Sequence, residues 1–287
     1  MCYKSFFRCI FANMKTIHID RIDSPELDVY TQLTEAQLRN KLEPEKGIFI
    51  AESLKVARIA LEKGLEPISF LAEKKYVDEQ IIPLFGDKYD IPVYTGERDL
   101  LSKLTGYELT RGFLCAMKRP VLPSVEEVCR NKSRIVVLDN VVNSTNTGAI
   151  FRAATALGIE GLLLSPTCCD PLNSRSVRVS MGTVFQMPWT YIENWSDNGP
   201  QLLRDLGFST VALALGPDSI AIDDPELMSI ERIALILGTE GDGLPKKTIK
   251  ACDHAAIIPM QQGVDSLNVA AAAAVAFWQL RKRRHNI

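Results

Sequence analysis

The stretch Ile257–Gln279, IIPMQQGVDSLNVAAAAAVAFWQ, runs from an apolar strand through a polar turn into an alanine-rich helix. The strand pattern stops at Met260, and Gly263 permits a sharp turn. A helix is predicted over Ser266–Arg283, with Asp265 or Ser266 accepting a backbone N–H as its N-cap. Asn268 then falls within the first helical turn, where its side chain can face the ends of the strands. A cap or a turn accounts for each of these polar residues singly. It does not account for all of them together.

Working outward, RIVVLDNV (Arg134–Val141), GLLLSP (Gly161–Pro166), STVALAL (Ser209–Leu215), RIALILG (Arg232–Gly238) and HAAIIP (His254–Pro259) are continuous apolar runs. Such runs mark strands buried on both faces of a mainly parallel sheet. Helices are predicted between them at Thr147–Leu157, Ser174–Phe185, Gln201–Leu206 and Lys246–Ala251, which gives a βα-alternating domain. The N-terminal part has a different texture. GIFIAE, ISFLAE, IPVYTG and GFLCAM read as shorter strands, with a helix over SLKVARIALEKG capped by Ser53 and stopped at Gly64. The expected division is an extension at 1–30, a small α/β domain at 31–118, a charged, proline-containing linker at 119–133 and a larger domain at 134–287.

The totals set limits. The chain has 287 residues, 46% apolar and 24% charged, with a formal net charge of −2. That balance is globular and is not that of a uniformly basic nucleic-acid binder. No apolar run reaches the length of a membrane span. The opening MCYKSFFRCIFANMK carries Arg8 inside a short apolar run and no cleavage site, so it reads as an extension or an over-long start, with Met14 an alternative initiator. The seven cysteines contain no CxxC pair, and reduced thiols in a cytoplasmic protein are expected. Arg281, Lys282, Arg283 and Arg284 close the final helix. They complement its negative end or, alternatively, contact phosphate.

In open sheets of this kind ligands sit at the carboxyl ends of strands, and three strand-end loops are unusual. In LDNVVNSTNTGAIFRAATALG, Asn140, Asn143 and Asn146 cannot all be caps. Arg152 sits among small apolar residues, either snorkelling to solvent or aimed at a phosphate or carboxylate. In ILGTEGDGLP the glycines Gly238, Gly241 and Gly243 let backbone approach a ligand. Their G-x-x-G-x-G spacing is not a dinucleotide fingerprint. Glu240 among them would repel phosphate and suits a cationic partner or a sugar hydroxyl. The third loop is the opening stretch.

Taken together, these segments resemble the three motifs of the SpoU (TrmH-like) RNA 2′-O-ribose methyltransferases of the SPOUT superfamily. Asn146, Gly148, Arg152 and Ala154 meet the first motif, Leu237–Leu244 the second, and Ile258–Met260, Gly263 and Ser266–Val269 the third. Arg178, Ser180 and Gly182 match the segment between. The first motif more often carries Asp-Pro where Asn143-Ser144 stands here, and the third often has a second serine where Ala270 stands. The N-terminal domain more loosely resembles an L30e-like substrate-binding domain.

The resemblance implies an α/β fold whose C-terminal domain is a deep trefoil knot with a mainly parallel sheet, an exception to unknotted connections. It implies S-adenosylmethionine bound by Leu237, Gly238, Gly243, Ile258, Met260, Ser266 and Leu267. It implies a catalytic set of Arg152, Glu240, Ser266, Asn268 and Asn146, and methylation of ribosomal or transfer RNA. It further implies a homodimer with the final helix at its interface, and neither metal nor membrane. The alanine run would clear space for the knot. The alternative reading is an RNA-binding protein that keeps the knot without methyl transfer; a coenzyme-dependent enzyme of ordinary doubly wound fold fails on the glycine spacing and leaves the Ser266-Leu267-Asn268 stretch unexplained.

Overall fold

The computed structural model describes residues 14–31, 34–40, 43, 46–86, 88–105, 112–216, 218–239, 241, 243–261 and 266–282. They fall into two compact units that divide between Pro120 and Val121. In the first unit a five-stranded sheet is built from β1 (Lys15–His18), β2 (Ile48–Glu52), β3 (Pro67–Glu73), β4 (Pro92–Gly96) and β5 (Phe113–Lys118), in the order β1-β4-β3-β5-β2. β1, β4 and β3 run parallel, while β5 is antiparallel to both β3 and β2. Short helices α1 (Asp28–Thr31), α2 (Glu35–Arg39), α3 (Leu54–Glu62), α4 (Lys74–Tyr76), α5 (Ile82–Phe85) and α6 (Arg98–Thr105) complete it. Leu27, Leu71, Leu101 and Leu114 belong to one buried cluster of this unit.

Two expectations need correction here. Residues 15–18 fell within the predicted extension, yet they pair along β4 as an edge strand. Their mostly exposed side chains carry too little apolar signal to be read as a strand. Ser53 stands at the start of α3 but does not cap it with its side chain; its φ is +85° and its hydroxyl is buried without a partner among the described residues.

The second unit carries a parallel seven-stranded sheet: β6 (Arg134–Leu138), β7 (Gly161–Leu164), β8 (Trp189–Tyr191), β9 (Ser209–Leu213), β10 (Ile220–Ala221), β11 (Ile233–Leu237) and β12 (His254–Ile257). Their order is β10-β12-β9-β11-β6-β7-β8. Every residue of β6, β7 and β11 is buried, as strands covered on both faces must be. The helices are α7 (Val125–Cys129), α8 (Ser144–Ala156), α9 (Ser174–Ser180), α10 (Trp195–Asp205), α11 (Pro225–Ser229), α12 (Lys246–Ala251) and α13 (Val269–Leu280). β8 and β10 were not foreseen, being too short to show a period. Part of the stretch read as a linker is α7, closed by a Ser124–Glu127 capping box, with Val128 and Cys129 buried in this unit's core.

The termini of the two longest helices also differ from expectation. α8 starts at Ser144 because Asn143 Oδ1 accepts from the backbone N–H of Thr145 and Asn146. α13 starts at Val269, and its cap is Asn268 rather than Asp265 or Ser266. Asp265 and Gly263 lie outside the described residues.

The far end of α13 is fixed by a buried cation. Arg134 is 7% exposed and donates to the carbonyls of Leu280 (2.6 Å), Glu231 (2.6 Å), Ser133 (2.9 Å) and Ile230 (3.0 Å). A buried guanidinium is tolerable only with its donors satisfied in this way. Beyond it Arg281 lays its guanidinium over the Trp278 ring, 3.4 Å from the centroid. Arg283 and Arg284 lie outside the described residues.

α8 packs between α13 and α9, and Gly148 sets the closer contact. A Cβ there would fall 2.6 Å from the Ser176 carbonyl oxygen and 2.9 Å from Val179 Cβ. Gly148→Ala is expected to cost about 1–3 kcal/mol through that overlap. A denaturant-unfolding midpoint equal to that of the unsubstituted protein would contradict the packing.

Candidate functional site

The site is assembled where the chain leaves the carboxyl ends of β6, β9, β11 and β12. At the end of β6 the backbone turns through Asn140, whose φ is +58°, and enters α8 beneath the Asn143 cap. That cap places Asn146 in the first turn of the helix, 7% exposed. At the end of β12 the chain runs to Asn268, whose Oδ1 accepts from the backbone N–H of Ala270 (3.0 Å) and Ala271 (3.3 Å). The same side chain donates from Nδ2 to Asn146 Oδ1 at 3.1 Å. The first and third sequence motifs therefore meet through one hydrogen bond. Because the Asn146 oxygen accepts from Asn268, the Asn146 amide nitrogen is left as a donor.

The loop after β11 folds back on itself through a bridge between Thr239 and Gly243. A Cβ on Gly238 would lie 2.4 Å from the Gly243 carbonyl carbon and 2.6 Å from Leu244 N. Gly241 and Gly243 have φ of +89° and +65°, which other residues adopt only with strain. Glu240 lies outside the described residues, so the structure neither joins it to nor separates it from the others.

Between these loops is a pocket of about 500 Å³. Leu237, Gly238, Gly243, Ile258, Met260, Ser266 and Leu267 all line it, and so does Asn268. Sequence reasoning missed Leu213, Ala214 and Leu215, which form a further wall at the end of β9. The signal was available, since β9 lies between β12 and β11 in the sheet and ligands collect at the carboxyl ends of such strands. Arg152 is not part of this lining. It stands exposed on α8 with no hydrogen bond or ion pair to any described residue.

Among the described residues none that lines the pocket ionises; these offer backbone groups, hydroxyls and one amide. No thiol lines the pocket among the described residues. Burial pushes Cys252 and Cys129 up to about 11 and raises Cys168, which donates to the Leu138 carbonyl at 3.1 Å. Protonated thiols of this kind are inert. Among the described residues no group of His, Cys, Asp and Glu could hold a metal ion, and no helix is long and apolar enough to cross a membrane.

Residues 133–278 match the SpoU rRNA Methylase family. An uncharacterised tRNA/rRNA methyltransferase of Mycobacterium bovis is 34% identical over 268 residues, covering 92% of this chain and 91% of that protein. A 23S rRNA (guanosine-2′-O-)-methyltransferase of Acinetobacter baylyi is 26% identical over 247 residues, covering 83% of this chain and 96% of that one. Among solved structures, an AdoMet-bound rRNA methyltransferase from Sinorhizobium meliloti superposes with a TM-score of 0.78 at 23% identity, covering 95% of this chain and 99% of that one.

Asn268→Ala removes both the cap and the link to Asn146 and is expected to cost about 1–2 kcal/mol. Asn268→Asp keeps the accepting oxygen and should recover most of that loss, but not the bond to Asn146. Equal unfolding midpoints for the alanine variant and the parent would refute the capping assignment.

Proposed function

The chain belongs to the SpoU rRNA methylase family, and on that footing we propose a specific division of labour among its residues. Its fold is the α/β knot of that family with a smaller N-terminal unit. It is an enzyme that methylates a ribose 2′-hydroxyl in RNA with S-adenosylmethionine as donor. The observation that carries the reading onto these residues is the pocket at the strand ends, lined by Asn268, which also bonds to Asn146.

The pocket fits the methyl donor in kind. Its volume of about 500 Å³ lies in the range of small-molecule sites. Its walls are leucine, isoleucine and alanine side chains suited to an adenosine, and Gly238 and Gly243 bare their backbone for polar contacts. Leu237, Gly238, Gly243, Ile258, Met260, Ser266 and Leu267 hold the donor in this proposal. When bound, S-adenosylmethionine supplies a methyl group on a sulfonium, already activated for attack.

The protein's own task is to present the hydroxyl. Asn146 donates from its amide nitrogen toward the ribose, in the orientation Asn268 imposes. Ser266 offers a hydroxyl at the pocket rim. Arg152 binds the adjoining phosphate and polarises the hydroxyl. Its guanidinium works as a fixed cation rather than as a free base. Glu240 is assigned as its partner from the motif alone.

Ribosomal RNA is the proposed substrate, supported by the family description and by the 23S rRNA specificity in the name of the Acinetobacter relative. Transfer RNA is the alternative that mapping would distinguish. The N-terminal unit is proposed as an L30e-like RNA-binding module, in a cytoplasmic protein. A homodimer through α13 is supported by the helical stripe of Ala271, Val275 (42% exposed) and Trp278 (57% exposed).

Three results test this. Mapping 2′-O-methyl groups in total RNA from cells with and without the gene should show one or a few ribosomal sites lost. Arg152→Ala should lower turnover by about 10²–10³-fold while calorimetry still detects the methyl donor; retained turnover would sink the assignment. Gly238→Ala should lose donor binding, because its Cβ collides with the loop backbone. If calorimetry finds no binding to the parent protein, the non-catalytic RNA-binding reading gains instead.

A further inference from the structure

Arg175 belongs to none of the motifs, yet the structure holds it in a defined place. Its Nε donates to Thr145 Oγ1 at 2.8 Å, and its side chain is otherwise exposed. Thr145 is in the first turn of α8, so the Arg175 guanidinium is carried to the N-terminal end of that helix. A cation there faces the positive end of the helix dipole, which is unfavourable. Its side chain contacts a hydroxyl and its backbone N–H the Asn173 cap; no carboxylate pairs with it among the described residues.

Joining α8 to α9 does not require it. The helices already touch at Gly148 and Ser176, and Ser176 Oγ donates to the Ser144 carbonyl at 2.9 Å. Thr145 and Arg152 are seven residues apart, hence on the same face of α8 and about 10 Å apart along it. Arg152 too is exposed and unpaired among the described residues. Two uncompensated guanidiniums thus stand along one helix face, with Asn146 in the turn between them.

We propose that Arg175, held by Thr145, binds a backbone phosphate of the RNA substrate. That phosphate lies within about three nucleotide steps of the one Arg152 engages, taking about 3.4 Å per step of a stacked strand. The inference rests on the proposed function, because it needs an RNA strand laid along α8. The planar fork matches the role: Nε is occupied by Thr145, which fixes the plane, and both terminal nitrogens stay free for phosphate oxygens.

The test compares the full-length protein with Arg175→Ala, Arg175→Lys and Thr145→Val. The probes are a large-subunit ribosomal RNA transcript and, separately, unfractionated transfer RNA, titrated over a range of salt concentrations. Arg175→Ala should weaken binding to the RNA that the parent prefers by roughly tenfold or more. It should also reduce the slope of log affinity against log salt by about 0.7–0.9, one phosphate contact. Affinity for the methyl donor and the unfolding midpoint should not change. Arg175→Lys should keep most of the slope, and Thr145→Val should fall between.

An affinity loss with the parent's salt slope would mark Arg175 as merely structural and overturn the proposal. So would an Arg175→Ala protein that binds like the parent. If the parent itself neither binds nor methylates either RNA, the proposed function fails first and this inference fails with it.

Discussion

The hydrogen bond between Asn268 and Asn146 is the constraint on which the site's arrangement depends. Asn268 uses its oxygen to terminate α13 and its nitrogen to reach α8, so one amide sets both the start of a helix and the distance between two loops. The second use follows from the first. An amide oxygen committed to two backbone N–H groups leaves only donors facing outward, and these can meet only an acceptor. Asn146 must therefore turn its own oxygen inward and its nitrogen outward. A capping interaction thus decides the polarity of a group more than a hundred residues away in the chain.

The other end of α13 is held by different chemistry. Arg134 opens the buried strand β6, and its guanidinium gathers four carbonyls, among them the last one of α13. Carbonyls at a helix C-terminus need donors, and a buried guanidinium needs acceptors, so each offsets the desolvation of the other. With both ends fixed, α13 can serve as a wall whose position does not depend on bulky side chains. Ala273 and Ala276 are fully buried, Ala271 is exposed, and Phe277 and Leu280 supply most of the apolar bulk beneath. The alanine run is thus only partly a matter of clearance; one face packs and the other is open.

Much of this was legible in the residues. The continuous apolar runs located β6, β7, β9, β11 and β12, and the seven residues expected to hold the cofactor line the pocket, whereas Asn146 and Arg152 do not. What stayed hidden shares a physical cause. β1, β8 and β10 are edge strands or very short ones, whose pairing is a tertiary fact without a local period. The cap of α13 was misplaced because Asp265, Ser266 and Asn268 are equally competent caps, and only the link to Asn146 discriminates among them. Ser53 has the residue type of a cap but a backbone conformation that turns its hydroxyl elsewhere. The β9 wall was missed because Leu213, Ala214 and Leu215 contribute shape and backbone rather than a recognisable functional group.

That last point bears on the chemistry. Among the described residues, the pocket lining of leucine, glycine, alanine, serine and asparagine carries no ionisable side chain. The described lining offers backbone groups, hydroxyls and an amide. They provide fixed donors and a fixed shape, and alignment alone can account for about 7–11 kcal/mol of a barrier when two reactants are held in line. Such a site depends on the rigidity of its frame. The residues that matter include those of the frame: Asn143 and Asn268 at the helix starts, Arg134 at the helix end, and the glycines at which backbone meets backbone.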